Sequence, residues 1–181
     1  MDFFELIQKR QSCRAYNGQA VEREKLERIV DAARMAPSAC NSQPWRFIVV
    51  DEPEKVQKTA KLLQDKVVPI NRFTDSCPAF VVVCEGKAKL SEKVSGRFKG
   101  QEFAQIDTGI AAAHLCFAAT ELGLGCCILG WFDEKGLKSL LHVPESARIR
   151  LVVAVGYPKE GDPIRPKARK ELDEIAGYNQ W

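Results

Sequence analysis

Ala36-Pro37-Ser38-Ala39-Cys40-Asn41-Ser42-Gln43-Pro44-Trp45-Arg46-Phe47 is an abrupt polar loop, bounded by two prolines, between a helical pattern and an apolar strand. Upstream, a helical pattern over residues 22–35 puts Leu26, Ile29, Val30 and Ala33 on one face, and Ala36 just beyond it continues that face. Downstream, Phe47-Ile48-Val49-Val50 reads as a buried strand. The small side chains of Ser38, Ala39 and Ser42 let a flat ligand approach the backbone closely. Asn41 and Gln43 supply paired donors and acceptors of the kind that read an amide or pyrimidine edge. The same residue types also make ordinary turns, so the loop has to be weighed with the rest of the chain.

Near the N-terminus, Arg10, Ser12 and Arg14 stand at i, i+2 and i+4 where a short amphipathic helix should end. In extended chain that spacing turns all three side chains to one side. Two guanidinium groups and a hydroxyl facing one way suit a phosphate dianion, which accepts several charge-assisted bonds at once. A second basic set, Arg165-Pro166-Lys167-Ala168-Arg169-Lys170, lies near the C-terminus, and alone it reads equally well as a solvated tail.

Helical periodicity covers residues 2–10, 22–35, 54–63, 102–122 and 134–141, and strands read at 45–51, 79–85, 126–131 and 148–157. The run Val152-Val153-Ala154-Val155 predicts a central strand buried on both sides. Helices and strands mixed in this order imply a sheet with helices on both faces. Residues 103–122 are apolar almost all round, but Gln105, Asp107, His114 and Glu121 argue against a membrane span. Such a helix has to be buried on every face, as a central helix or one shared with a second subunit.

The 181 residues suggest one domain, since about 150 residues per domain is usual. Hydrophobic content of 45% and charged content of 28% are ordinary for a soluble globular chain. A net charge of +3 without aromatic–basic interleaving speaks against nucleic acid. The chain opens directly into an amphipathic helix without a signal-like apolar run, so a cytoplasmic location is expected. The seven cysteines include no Cys-x-x-Cys pair, which removes the spacing that zinc and thioredoxin-like sites need. Cys13 and Cys40 fall inside the two ligand motifs, and the inert reading is preferred because no resolving partner is evident. Neither histidine shares metal spacing with the other, and no Gly-x-Gly-x-x-Gly fingerprint follows a strand. The chemistry is therefore expected from a bound cofactor, with the protein supplying position and electrostatics.

The Arg-x-Ser-x-Arg-x-Tyr segment, the Ala-Pro-Ser-Ala-x-Asn-x-Gln-Pro-Trp loop, the segment Asp107-Thr108-Gly109-Ile110-Ala111-Ala112-Ala113 running on to Leu122-Gly123-Leu124-Gly125, and the Lys-x-Arg near the end resemble the FMN-dependent nitroreductase family. The pieces follow the family's order from Phe3 to about Ile175. The resemblance implies an α+β fold of three layers, α-β-α, with a mixed central sheet of four to five strands, in a homodimer. It implies one FMN-binding domain over residues 1–181, with residues 162–181 as a tail reaching the flavin phosphate or the partner subunit.

Carried over residue by residue, the resemblance places Arg10, Gln11 and Ser12 at the FMN phosphate, joined by Lys167 and Arg169. Arg14 falls near N1 and O2 of the ring, where a fixed cation raises the flavin potential. Pro37, Ser38, Ala39 and Asn41 line the isoalloxazine from the other subunit, while Gln43 and Trp45 brace the loop. Leu129-Gly130 stands where many members have an acidic residue and a glycine whose backbone N–H groups meet the flavin near N5 and O4. Here leucine keeps only the backbone part of that role. Asn71 and Arg72 are candidate ribityl or ring contacts. No catalytic side chain and no metal are expected.

The activity implied is ping-pong transfer from NADH or NADPH through FMN to a small-molecule acceptor such as a nitroaromatic or quinone. The rivals are another enzyme of the same fold, such as a dehalogenase or a dehydrogenase, and a non-catalytic flavin binder. The Lys-rich stretch Gly86–Gly100 reads as a solvated loop first and an active-site cover second, and its shortness implies an open pocket.

Overall fold

The seven residues Ala79–Glu85 form the strand on which the architecture rests, because side chains on a strand alternate between its two faces. Phe80, Val82 and Cys84 enter one core, whereas Ala79, Val81 and Val83 enter the other. In the computed structural model, which describes residues 1–65, 67–86 and 102–181, the order is α1 (Phe3–Lys9), α2 (Arg23–Arg34), β1 (Trp45–Val50), α3 (Pro53–Leu62), β2 (Ala79–Glu85), α4 (Phe103–Glu121), β3 (Gly125–Leu129), α5 (Glu134–Leu141), β4 (Arg148–Gly156) and α6 (Leu172–Ile175). All but Gly86 of the Gly86–Gly100 stretch lies outside the described residues.

The sheet order is β1-β2-β4-β3. All three strand ladders are antiparallel, with Val82 opposite both Ile48 and Val152. The parallel component is an isolated bridge between Ser12 and Cys126 at the β3 edge. On β4, Val152 and Ala154 face one core while Val153 and Val155 face the other, as the apolar run predicts. The first core is closed by Val56 and Ala60 of α3 and Leu137 of α5. Leu26, Ile29 and Ala33 of α2 close the second with Leu115, Cys116 and Ala119 of α4. The result is three layers, α-β-α.

Local signals explain the helix ends. Glu5 donates its N–H to Asp2 at 2.9 Å, and Asp2 donates its own to Glu5 at 3.2 Å, a reciprocal cap on α1. Pro53 opens α3, where a missing N–H costs nothing, and Asp133 caps α5 by accepting from Gly136 at 2.9 Å.

α4 departs from its all-round burial. Asp107, Thr108, Ala111, Ala112, Leu115, Cys116, Ala119 and Thr120 are buried against the chain, but Phe103, Ile110, Ala113 and Phe117 are only half-buried and Ile106 is 51% exposed. These five residues recur at spacings of three and four, so they form one apolar stripe that the described residues cover only in part, with Phe117 against the Phe3 ring at 5.9 Å.

The N-terminal segment is fixed against β3 by close packing. A Cβ on Gly125 would sit 2.6 Å from the Cys13 Sγ and 2.7 Å from its Cβ. Gly125→Ala should therefore push the Arg10–Tyr16 segment outward and cost about 1–3 kcal/mol in urea unfolding. Adding Cys13→Gly should restore most of that loss. A harmless Gly125→Ala, or no rescue by the second change, would refute the packing argument.

Candidate functional site

Arg10 caps α1, and the chain then runs extended beside β3, with the Cys13 N–H bonded to the Cys126 carbonyl at 2.9 Å. The C-terminal tail crosses this segment. Gln11 donates to the Pro163 carbonyl at 3.1 Å and accepts from the Arg165 N–H at 3.0 Å. The Arg165 guanidinium donates to the Ser12 carbonyl at 2.7 Å, and the Lys167 ammonium to the Arg10 carbonyl at 2.6 Å. Arg10 and Lys167, 157 residues apart in sequence, thus meet at one place.

The electrostatics there are unfinished. Partial burial, then the positive charges of Arg10 and Arg169, pull the Lys167 ammonium below its ordinary pKa. Among the described residues, no carboxylate lies within 4.0 Å of Arg10, Arg14, Lys167 or Arg169. Lys167 thus lies in the field of two further cations with no carboxylate at hand among the described residues, an arrangement suited to an anion of more than one charge. Arg165 differs, being 3.4 Å from Asp162 and tied to Ser12, so it anchors the tail.

Arg10 acts electrostatically on the thiols of Cys116 and Cys126, and Arg14 on that of Cys127. Cys126 and Cys127 are successive residues of β3, so the fields of both guanidiniums reach this strand. Cys13 is buried, its thiol donates to the Ala15 carbonyl at 3.3 Å, and burial pushes its pKa up, all of which favour an inert thiol.

The Pro37–Pro44 loop contains a short turn at Ala39–Asn41 and holds three non-glycine residues in the left-handed region: Cys40 (φ 52°), Asn41 (φ 50°) and Gln43 (φ 49°). Backbone of this kind costs about 1–3 kcal/mol per residue and persists only when its surroundings enforce it. The Gln43 N–H bonds the Ser38 hydroxyl at 2.9 Å, and the Gln43 amide bonds the Asn41 side chain at 2.8 Å, which is the bracing role expected of Gln43. The Ala39 N–H is held by both Asp107 carboxylate oxygens, at 3.2 and 3.1 Å. Asp107 is nine residues before Cys116 on α4, about 13 Å along the helix axis. Arg10, Ser12, Lys167 and Arg169 are therefore brought together, with Arg14 alongside, while Pro37, Ser38, Ala39 and Asn41 dock elsewhere on α4.

Leu129 is buried at the end of β3, and Gly130 follows with open space where a Cβ would be. Asn71, left-handed at φ 59°, gives its side-chain amide to the Leu63 carbonyl at 2.9 Å and the Trp131 carbonyl at 3.4 Å. Asn71 thus braces the Gly130 turn from behind, and Arg72 is exposed. A cavity of about 440 Å³ lies on the β1–β2 side, lined by Arg46, Ile48, Cys84, His142, Val143 and Ala147 among others, and shares no residue with these motifs.

Sequence reasoning missed Asp107 as the anchor of the loop and Gln11 and Arg165 as the anchors of the tail. The signal for the first was one acidic residue inside an apolar helix.

The Nitroreductase family pattern matches residues 7–72 and 57–157, and the chain belongs to that family. It is 32% identical over 169 residues to a candidate NADH dehydrogenase/NAD(P)H nitroreductase of Methanothermobacter thermautotrophicus, covering 91% of this chain and 82% of that one. It is 25% identical over 196 residues to iodotyrosine deiodinase 1 of Rattus norvegicus, covering 96% and 68%. The structure of an FMN-dependent nitroreductase from Clostridium difficile R20291 superposes with a TM-score of 0.76 at 27% identity, covering 99% and 100%. Among the described residues, no helix is long and apolar enough to cross a membrane.

Proposed function

We propose that the protein is an FMN-dependent NAD(P)H oxidoreductase that reduces nitroaromatic, quinone or related acceptors by ping-pong hydride transfer. The observation that carries this is the cluster of Arg10, Lys167 and Arg169 beside Ser12, positive and, among the described residues, without a carboxylate. It fits a terminal phosphate dianion, and FAD, whose phosphates form a pyrophosphate, would ask for a glycine-rich helix start that the sequence lacks. When bound, FMN supplies hydride acceptance from the nicotinamide and donation to the acceptor.

The chain's own residues bind and orient. Arg10, Ser12, Lys167 and Arg169 hold the phosphate, and Arg14 places a cation at the pyrimidine side of the ring. The backbone of Leu129 and Gly130 faces the opposite edge. The Pro37–Asn41 loop, docked away from the basic cluster of its own chain, serves the flavin of a second copy. The partly exposed stripe Phe103, Ile106, Ile110, Ala113 and Phe117 is where that copy packs.

Anaerobic addition of NADH, then NADPH, to the yellow protein should bleach the oxidised-flavin band. Unchanged colour would favour a flavin binder. Light scattering at micromolar concentration should give about twice 20.2 kDa, and a monomer holding full FMN would sink the shared site. Similarity to a deiodinase supports one second reading, reductive dehalogenation, which halide release from a halogenated phenol would reveal.

A further inference from the structure

Asp107 is the one buried carboxylate among the described residues, with 4% of its surface exposed. Burying a charge is costly unless it is paired or hydrogen-bonded. This carboxylate has a single donor among the described residues: the Ala39 N–H, within 3.2 Å of one oxygen and 3.1 Å of the other. The adjacent Thr108 hydroxyl gives no help, because it donates to the Ala104 carbonyl at 2.6 Å. The bond falls at the entry to the strained turn, one residue before the left-handed Cys40. The Gln43 bonds to Ser38 and Asn41 lie within the loop and hold its shape, whereas the Ala39 bond ties it to α4.

We infer that Asp107 is a positioning residue: through the Ala39 N–H it moors the Pro37–Asn41 turn to α4 in the geometry that receives the flavin ring. The inference rests on the FMN reading above. It requires an acceptor at one point rather than a negative charge in general. Asparagine, whose carbonyl oxygen stands where a carboxylate oxygen stood, should serve nearly as well. Glutamate, one methylene longer, carries the charge but moves the acceptor, and should not.

The test is FMN titration of purified Asp107→Asn, Asp107→Glu and Asp107→Ala proteins, with the visible circular dichroism of the bound flavin recorded and inorganic phosphate titrated separately. Loss of a hydrogen bond to a charged group corresponds to about ten-fold or more in affinity. Asp107→Ala and Asp107→Glu should weaken FMN by about ten-fold and reduce the dichroism. Asp107→Asn should stay within about three-fold of wild type, and phosphate affinity should move less than two-fold in all three. If Asp107→Ala does not fold, the asparagine and glutamate variants decide the matter. Wild-type behaviour of Asp107→Glu with a damaged Asp107→Asn would overturn the positioning role in favour of charge. Parallel loss of phosphate and FMN would overturn it in favour of general collapse. Failure of wild type to bind FMN at all would instead remove the functional reading, and this inference with it.

Discussion

Arg10→Ala is expected to weaken FMN binding by about one to two decades while leaving the potential of the bound flavin nearly unchanged. The guanidinium is one of three cations converging where the tail crosses the N-terminal segment, and the other two remain after the substitution. A hydrogen bond to a charged group contributes roughly 1.5–3 kcal/mol, which sets the size of the loss. Relief of the repulsion on Lys167 offsets part of it. Arg14→Ala should behave in the opposite way. Arg14 acts electrostatically on the Cys127 thiol of β3, and in the proposed orientation its cation faces the ring. Its removal should make the potential more negative and slow reduction by nicotinamide, with a smaller effect on affinity. Potentiometric titration of both variants separates the roles. Equal shifts in potential, or none for Arg14→Ala, would show that the two arginines are not divided between phosphate and ring.

Phe80→Ala should cost the fold about 3–5 kcal/mol, a large part of a typical domain stability of 5–15 kcal/mol. The Phe80 side chain is fully buried, on the strand between β1 and β4, opposite Val50 on one side and Ala154 on the other. Its neighbours are held in hydrogen-bonded ladders, so collapse around the vacated volume is restricted and the cavity penalty adds to the lost transfer energy. Urea unfolding of the FMN-free protein at fixed concentration is the measurement, because ligand and association would both shift the midpoint. A loss below about 1 kcal/mol would mean that Phe80 is not a keystone of the first core.

The regular elements were legible because their patterns are long. Leu26, Ile29 and Ala33 mark the face of α2, and the Val152–Val155 run marks a strand buried on both sides. Short turns left no such trace. Ala39–Asn41 and Arg72–Ser76 span three and five residues, too few for a period to show, and α6 has only four. The cation cluster was legible as two separate motifs, yet nothing local predicts that Arg165 will reach the Ser12 carbonyl. Gln11 reads as a ligand contact because of where it stands, whereas its amide holds the tail. Asn71 is similar, with its amide given to two carbonyls of its own chain. Polar residues in a binding motif divide between touching a ligand and holding the chain that does, and sequence spacing does not separate the two.

The crossing of the tail over the N-terminal segment also sets a clock on the ribosome. Lys167 follows its partner Arg10 by 157 residues, about 8–30 s at roughly 5–20 residues per second. Until then a nascent chain holds only half of its anion site. If the cluster binds FMN as proposed, cofactor capture waits for Lys167, and a chain interrupted before that residue would not hold the flavin.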